Sequence, residues 1–173
     1  LVGPTYAGNV DKHALVQQIR QQLQTSARVA LNAGEDAAAE ARFGADASEK
    51  RQDARVAIEY SQLAKAQVKR ARQAQAALAT LESFRPKPLP ARARVELGAI
   101  VEIEDEDSGE GRTLFIAPVG AGFNLTGPGG DGLLSVITPS SPMGRAVLGR
   151  RLGDVVDLTI AGDVREWAIT YVG

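Results

Sequence analysis

The feature that most constrains this chain is a long stretch, Asp11 to about Phe84, rich in Ala and Gln and patterned at helical period, followed by a strand-patterned half that runs to Gly173. Apolar positions in the first half are sparse and mostly small. Helices of that kind bury only a narrow seam against one another and otherwise stand in solvent, so this half does not build a globular core. Leu15, Ile19, Leu23, Val29 or Ala30, and Ala33 form one stripe, opened by Asp11 as a plausible N-cap. Phe43-Gly44-Ala45-Asp46 interrupts it, with Gly44 suited to a helix C-terminus and Asp46 or Ser48 to the next N-cap. Val56, Tyr60, Leu63, Ala66, Ala74, Leu78 and Leu81 supply a return stripe. Folding back about residue 46 sets Leu15 near Leu78 and Val29 near Leu63. Arms of about 33 residues would each extend roughly 50 Å.

Arg85-Pro-Lys-Pro-Leu-Pro90 ends the second helix, because alternating prolines remove donors and favour extended backbone. Beyond it the period falls to two. Residues 99–103, 113–116, 133–137, 155–160 and 167–172 each read as a strand, and Ser141-Pro-Met-Gly-Arg-Ala-Val-Leu-Gly149 as the one short helix, with Ser141 as N-cap, Pro142 at the first helical position and Gly149 at the stop. The fold class is α+β: an antiparallel coiled-coil hairpin followed by an antiparallel sheet with one short helix. The domain reading is 1–10 as a disordered or appended start without methionine, 11–84 as the hairpin with its tip near 43–49, 85–92 as a proline-rich linker and 93–173 as a globular domain.

Composition narrows the chemistry. With no cysteine and one histidine, His13, the chain lacks a thiolate nucleophile, a disulfide framework, a histidine metal site and a catalytic triad. No window reaches the roughly 20 apolar residues that span a bilayer, and no signal-peptide pattern opens the chain, so the cytoplasm, no membrane partner and a monomer are expected. Residues 1–90 carry 13 Lys/Arg and 9 Asp/Glu, residues 91–173 carry 7 and 12. Lys65, Lys69, Arg70 and Arg72 form a basic patch on the second helix; Glu102, Glu104, Asp105, Glu106, Asp107 and Glu110 crowd one end of the strand half. The glycine-rich run 120–132 lacks the Gly-Lys-Ser/Thr ending of a phosphate loop and reads as a strand connection. Trp167 reads as core. With only four Phe, three Tyr and one Trp, a base-stacking nucleic-acid binder is not indicated.

Asp46 and Glu49 stand out. One acid at a helix start is ordinary capping, but a carboxylate pair at the end of a slender hairpin has little to stabilise there. It could complete a Mg²⁺ site owned by another molecule, since Mg²⁺ is bound by one or two carboxylates with waters and phosphate oxygens.

Three stretches resemble the GreA/GreB family of bacterial transcript cleavage factors: Glu40-Ala-Arg-Phe-Gly-Ala-Asp46-Ala-Ser-Glu49, like the family's Asp-x-x-Glu tip; Ser141 to Gly149 with Gly153-Asp154-Val-Val, like its Ser-Pro helix and following strand; and Gly98-Ala-Ile-Val-Glu-Ile, like its first strand. The resemblance implies an FKBP-like C-terminal domain that docks on RNA polymerase, here through Ser141, Pro142, Met143, Arg145 and Leu148. It also implies a coiled coil that threads the polymerase's secondary channel. Asp46 and Glu49, assisted by Asp53 one turn beyond Glu49, would help hold a Mg²⁺ shared at the polymerase active site and orient a water for cleavage of a backtracked transcript. No stably bound cofactor is implied, the basic patch could meet polymerase acids or the nascent RNA 3′ end, and the catalysis would be the polymerase's own. At this tip Lys50 stands where the family usually has Asn, Arg51 follows, and Gln52-Asp53 stand in place of the family's Glu-Tyr. Some relatives keep the architecture and inhibit polymerase, so a non-cleaving regulator is the alternative. A prolyl isomerase would need an aromatic-lined pocket, for which this half offers Phe115, Phe123, Trp167 and Tyr171; a purely structural coiled-coil dimer is the remaining class.

Overall fold

The computed structural model describes residues 11–43, 52–90, 92–127, 132–160 and 162–173. Two long helices come first, α1 (Lys12–Phe43) and α2 (Gln52–Glu82). Six strands and a short helix follow: β1 (Ile100–Asp105), β2 (Gly111–Ile116), β3 (Asn124–Thr126), β4 (Leu133–Ile137), α3 (Pro142–Val147), β5 (Val155–Ile160) and β6 (Asp163–Val172). Two compact units result. One comprises the chain to Ile19 together with Thr80–Gly173, the other Arg20–Ala79.

In the Arg20–Ala79 unit the helices pack through a seam of very small residues. Leu23, Ala27, Ala30, Gly34 and Ala37 are buried on α1 at steps of three and four; Ala64, Gln67, Ala71, Ala74 and Leu78 are the buried or half-buried positions on α2 at the same steps. That is the spacing of an a/d coiled-coil seam. A Cβ placed on Gly34 would lie 3.4 Å from the Gln67 Cβ and 3.7 Å from the Ala64 carbonyl oxygen, so the backbones approach closely. Residue 34 beside residue 67 is an antiparallel pairing whose numbers sum to 101, where a fold about residue 46 needs about 92. This register corrects the expected one about residue 46. Val29 (59% exposed) and Leu63 (46%) are surface residues and do not meet, because alanine and glycine let the helices come together where larger aliphatics would hold them apart.

In the other unit the strands form one sheet in the order β3-β4-β2-β1-β6-β5. Every neighbouring pair is antiparallel except β2 with β4, which run parallel (Thr113 opposite Leu134, Ile116 opposite Ile137). The parallel pair arises because the 117–132 connection holds β3. This short strand reverses the chain before β4 returns along β2, where the sequence pattern showed only a connection. β3 is an edge, and Gln18 of α1 closes it as a strand would: its amide nitrogen donates to the Thr126 carbonyl (2.8 Å) and its amide oxygen accepts from the Thr126 N–H (2.9 Å). β6 begins four residues earlier than the pattern indicated, in a hairpin that sets Asp163 opposite Ile160.

The core is layered on the sheet. Val101, Ile103, Leu114, Ile116, Val156, Leu158, Trp167 and Ile169 form one buried cluster, with Val147, Met143 and Leu148 from the α3 region packed on it. Elsewhere on the sheet Phe115 meets Phe84 (ring centroids 6.5 Å apart), and Gly120, at φ +89°, accepts the Ile19 side chain so closely that a Cβ would lie 3.0 Å from it. The strands nearest these contacts are therefore buried on both faces, and strict alternation fails there.

Candidate functional site

α3 is built as its sequence reads. The Ser141 hydroxyl accepts from the Gly144 N–H (3.0 Å) and donates to the Thr138 carbonyl (2.8 Å), Pro142 occupies the first turn, and Gly149 follows the cap at φ +77°. Gly144 is dictated by packing: a Cβ there would fall 2.0 Å from the Thr138 carbonyl oxygen. The close crossing leaves a cavity of about 540 Å³ bounded by Ser141, Pro142, Met143 and Arg145 of the α3 region and by strands β2, β4 and β5.

Its walls are apolar (Leu114, Val136, Leu158) and its polar groups are Arg112, Arg145, Ser135 and Asp157. Arg145 donates to the Ser140 carbonyl. Arg112 donates twice to Glu110 Oε1 (3.1 and 2.8 Å), and its guanidinium carbon lies 5.3 Å from the Trp167 ring centroid. Such a cavity can take an apolar side chain flanked by anions. Among the described residues it offers no histidine or thiol to move a proton, and no aromatic residue lines it. Phe115 and Trp167 are fully buried in the core, so the wall that an isomerase pocket needs is absent from this cavity. Of the expected docking residues, Ser141, Pro142, Met143 and Arg145 border the cavity, while Leu148 caps α3 and packs on the core. Arg112 and Asp157 come from strands about 45 residues apart, so no local pattern pairs them.

The acidic run spans the end of β1 and the turn after it, and Asp105 organises that turn. Asp105 is 1% exposed; its Oδ1 accepts from the Ser108 N–H (2.8 Å) and the Asp107 N–H (3.1 Å), and Arg165 Nη1 lies 3.6 Å from Oδ2. Donation from Ser108 above all, then from Asp107, with the Arg165 charge, holds the carboxyl below its usual range against the opposing pull of burial. At the start of α1, Asp11 accepts from the His13 and Ala14 N–H groups (3.0 and 3.3 Å), which confirms the cap. Lys12 is buried and donates to the Lys87 carbonyl (2.8 Å); burial pushes its ammonium down, and Glu96 partly offsets this. Among the described residues, no three His, Asp or Glu gather to hold a metal, and no helix is long and apolar enough to cross a membrane.

Asp46 and Glu49, with Lys50 and Arg51, lie outside the described residues, and Asp53 is the second residue of α2 with its side chain likewise outside them. Of the basic patch, Lys65, Lys69 and Arg72 line one groove together with Arg42, and Arg70 does not border it. Arg42 was missed by sequence reading because it belongs to the other helix.

Comparison with known proteins decides what kind of domain carries the α3 cavity. Residues 90–173 match the family described as "Transcription elongation factor, GreA/GreB, C-term". Residues 90–173, just under half of the chain, are thus similar to the GreA/GreB C-terminal domain. The transcription inhibitor protein Gfh1 of Thermus thermophilus is 33% identical over 78 residues, 45% of this chain and 46% of that protein. The transcription elongation factor GreA of Ralstonia nicotianae is 32% identical over 96 residues, 55% of each. The chain thus spans about half the length of the curated relatives it matches. The crystal structure of Thermus thermophilus Gfh1 aligns with 91% of this chain and 94% of its own at 21% identity, with a TM-score of 0.38, a value too low to argue from. Within the GreA/GreB domain defined here, α3 and its cavity lie wholly inside the matched residues.

Proposed function

We propose that this chain binds RNA polymerase, enters its secondary channel with the α1–α2 hairpin and stimulates the polymerase's own cleavage of backtracked transcripts. One observation carries the reading: a GreA/GreB C-terminal domain follows two packed helices of 32 and 31 residues whose connection contains Asp46 and Glu49. The cavity beside α3 serves as the docking surface, since its apolar walls and two arginines suit a hydrophobic side chain held among carboxylates. The chain has no cysteine and its one histidine lies in the first turn of α1, so in this reading the chemistry is left to the polymerase.

Asp46 and Glu49 fit the hard-oxygen donor set of Mg²⁺ and would add their carboxylates to an ion shared at the polymerase active site, where such an ion lowers the pKa of bound water. Asp53, one turn from Glu49, would support the pair. The nascent RNA 3′ end is the substrate in this reading.

The second reading, a factor that occupies the same channel and inhibits without cleavage, is favoured by Lys50 and Arg51 beside the acids and by the likeness to a protein named as a transcription inhibitor. A backtracked elongation complex separates the two. Shortened transcripts that rise with the wild type and not with Asp46→Ala support cleavage; polymerase binding without shortened transcripts, accompanied by reduced initiation, supports inhibition.

A further inference from the structure

The hairpin unit holds a groove of about 640 Å³, bordered on α1 by Gly34, Ala38 and Ala41 and on α2 by Ser61, Ala64 and Val68. Four cations rim it: Arg42 from α1, and Lys65, Lys69 and Arg72 from α2. The last three stand at i, i+4 and i+7, which places them on one helix face over about 10 Å. All four are exposed, and among the described residues no carboxylate borders the groove and none of the four has an ion pair. Four like charges around a common space repel one another, and a multiply charged anion relieves that repulsion.

The shape selects the anion. The floor is small and uncharged, so a ligand can settle close to the helix backbones, and the volume is that of a small-molecule site. A carboxylate could neutralise one cation of the row. A chain of phosphates could meet all four, with the arginines gripping oxygens in pairs. A nucleic-acid strand is a poorer fit, because such tracks use aromatic platforms and run over several nucleotides, and no aromatic residue among the described ones borders this groove.

We propose that the groove binds a short free polyphosphate chain, as carried by a nucleoside triphosphate, laid along Lys65, Lys69 and Arg72 with Arg42 closing on it from the opposite helix. The inference is independent of the polymerase reading, because it is tested with no polymerase present.

Titration calorimetry on the full chain in Mg²⁺-free buffer, with inorganic tripolyphosphate, ATP and a ten-residue oligouridylate without terminal phosphate, tests it. Tripolyphosphate should bind with one-to-one stoichiometry, weakened about tenfold by Lys69→Gln or Arg72→Gln, as loss of one charge-assisted contact implies. Arg70→Gln removes the same charge outside the groove and should leave affinity within about twofold. Ala38→Leu, which fills the groove without altering charge, should weaken binding while circular dichroism shows helicity intact. ATP binding more tightly than tripolyphosphate would place the nucleoside in the groove as well; equal affinity would assign the phosphate chain alone, and either supports the proposal. It is overturned if tripolyphosphate fails to saturate the protein, if Arg70→Gln weakens it as much as Lys69→Gln, or if the oligouridylate binds more tightly than tripolyphosphate and is equally sensitive to the groove variants.

Discussion

The two units solve the packing problem in opposite ways. The sheet unit buries Trp167, Phe115, Ile100, Leu114, Leu125 and Ile169 completely, whereas the hairpin seam beyond Leu23 is alanine and glycine, and Val29, Ile58 and Leu63 stay on its surface. Burial of large side chains supplies most of the stabilisation of a globular core, at roughly 1.5–3 kcal/mol for each one removed from water. An alanine seam gains little area and relies on close backbone approach and the high helix propensity of Ala and Gln. Surface positions of the hairpin are thereby freed for charge, and the groove cations occupy some of them.

The largest expected effect belongs to the cleavage reading. Asp46→Ala should reduce cleavage stimulation by about a hundredfold or more, the scale seen when a single transition-state contact is lost. Its melting temperature and polymerase affinity should stay unchanged; an equal loss of affinity would mean that the acid supports docking instead. In the sheet unit the effect should appear in stability. Gly144→Ala forces α3 away from Thr138 and should cost about 1–3 kcal/mol by urea denaturation. No change there would show that the crossing can relax.

Gln18→Ala strips two hydrogen bonds from the β3 edge and should cost about 1–2 kcal/mol, with faster hydrogen exchange at the Thr126 amide as its local signature. A pH scan should single out Asp105. Its folded pKa is depressed, so the stability it contributes is present above the ordinary carboxylate range and lost as pH falls through the folded value. Asp105→Asn should flatten that acid limb of the stability curve. The smallest effect is expected at Val29→Ala or Leu63→Ala, within about 0.5 kcal/mol, because both side chains already face solvent. A larger loss at either would show that an outer face of the hairpin is covered.

Local chemistry was legible where one residue acts on its neighbours. The Asp11 cap, the borders of α3 at Ser141 and Gly149, the end of α2 before the prolines and the burial of Trp167 all follow from side-chain acceptors, fixed φ angles or period-two alternation. β3 was hidden because three residues, Asn124-Leu-Thr126, are too few to show alternation among glycines. The hairpin register was misread because size was taken as the mark of a buried position, while close helix approach favours the smallest residues.

By itself the sequence determined that a helical hairpin precedes an α+β domain, that the chain carries no cysteine and a single histidine, and that its halves differ in charge; each of these is a property of residue type and short-range spacing. Tertiary structure decided that β2 and β4 run parallel, that Arg112 and Asp157 share a cavity with Arg145, and that Arg42 joins Lys65, Lys69 and Arg72 around one groove. Such juxtapositions depend on where distant segments cross, and the crossing is set by the depth to which glycine and alanine at a few positions allow two backbones to approach.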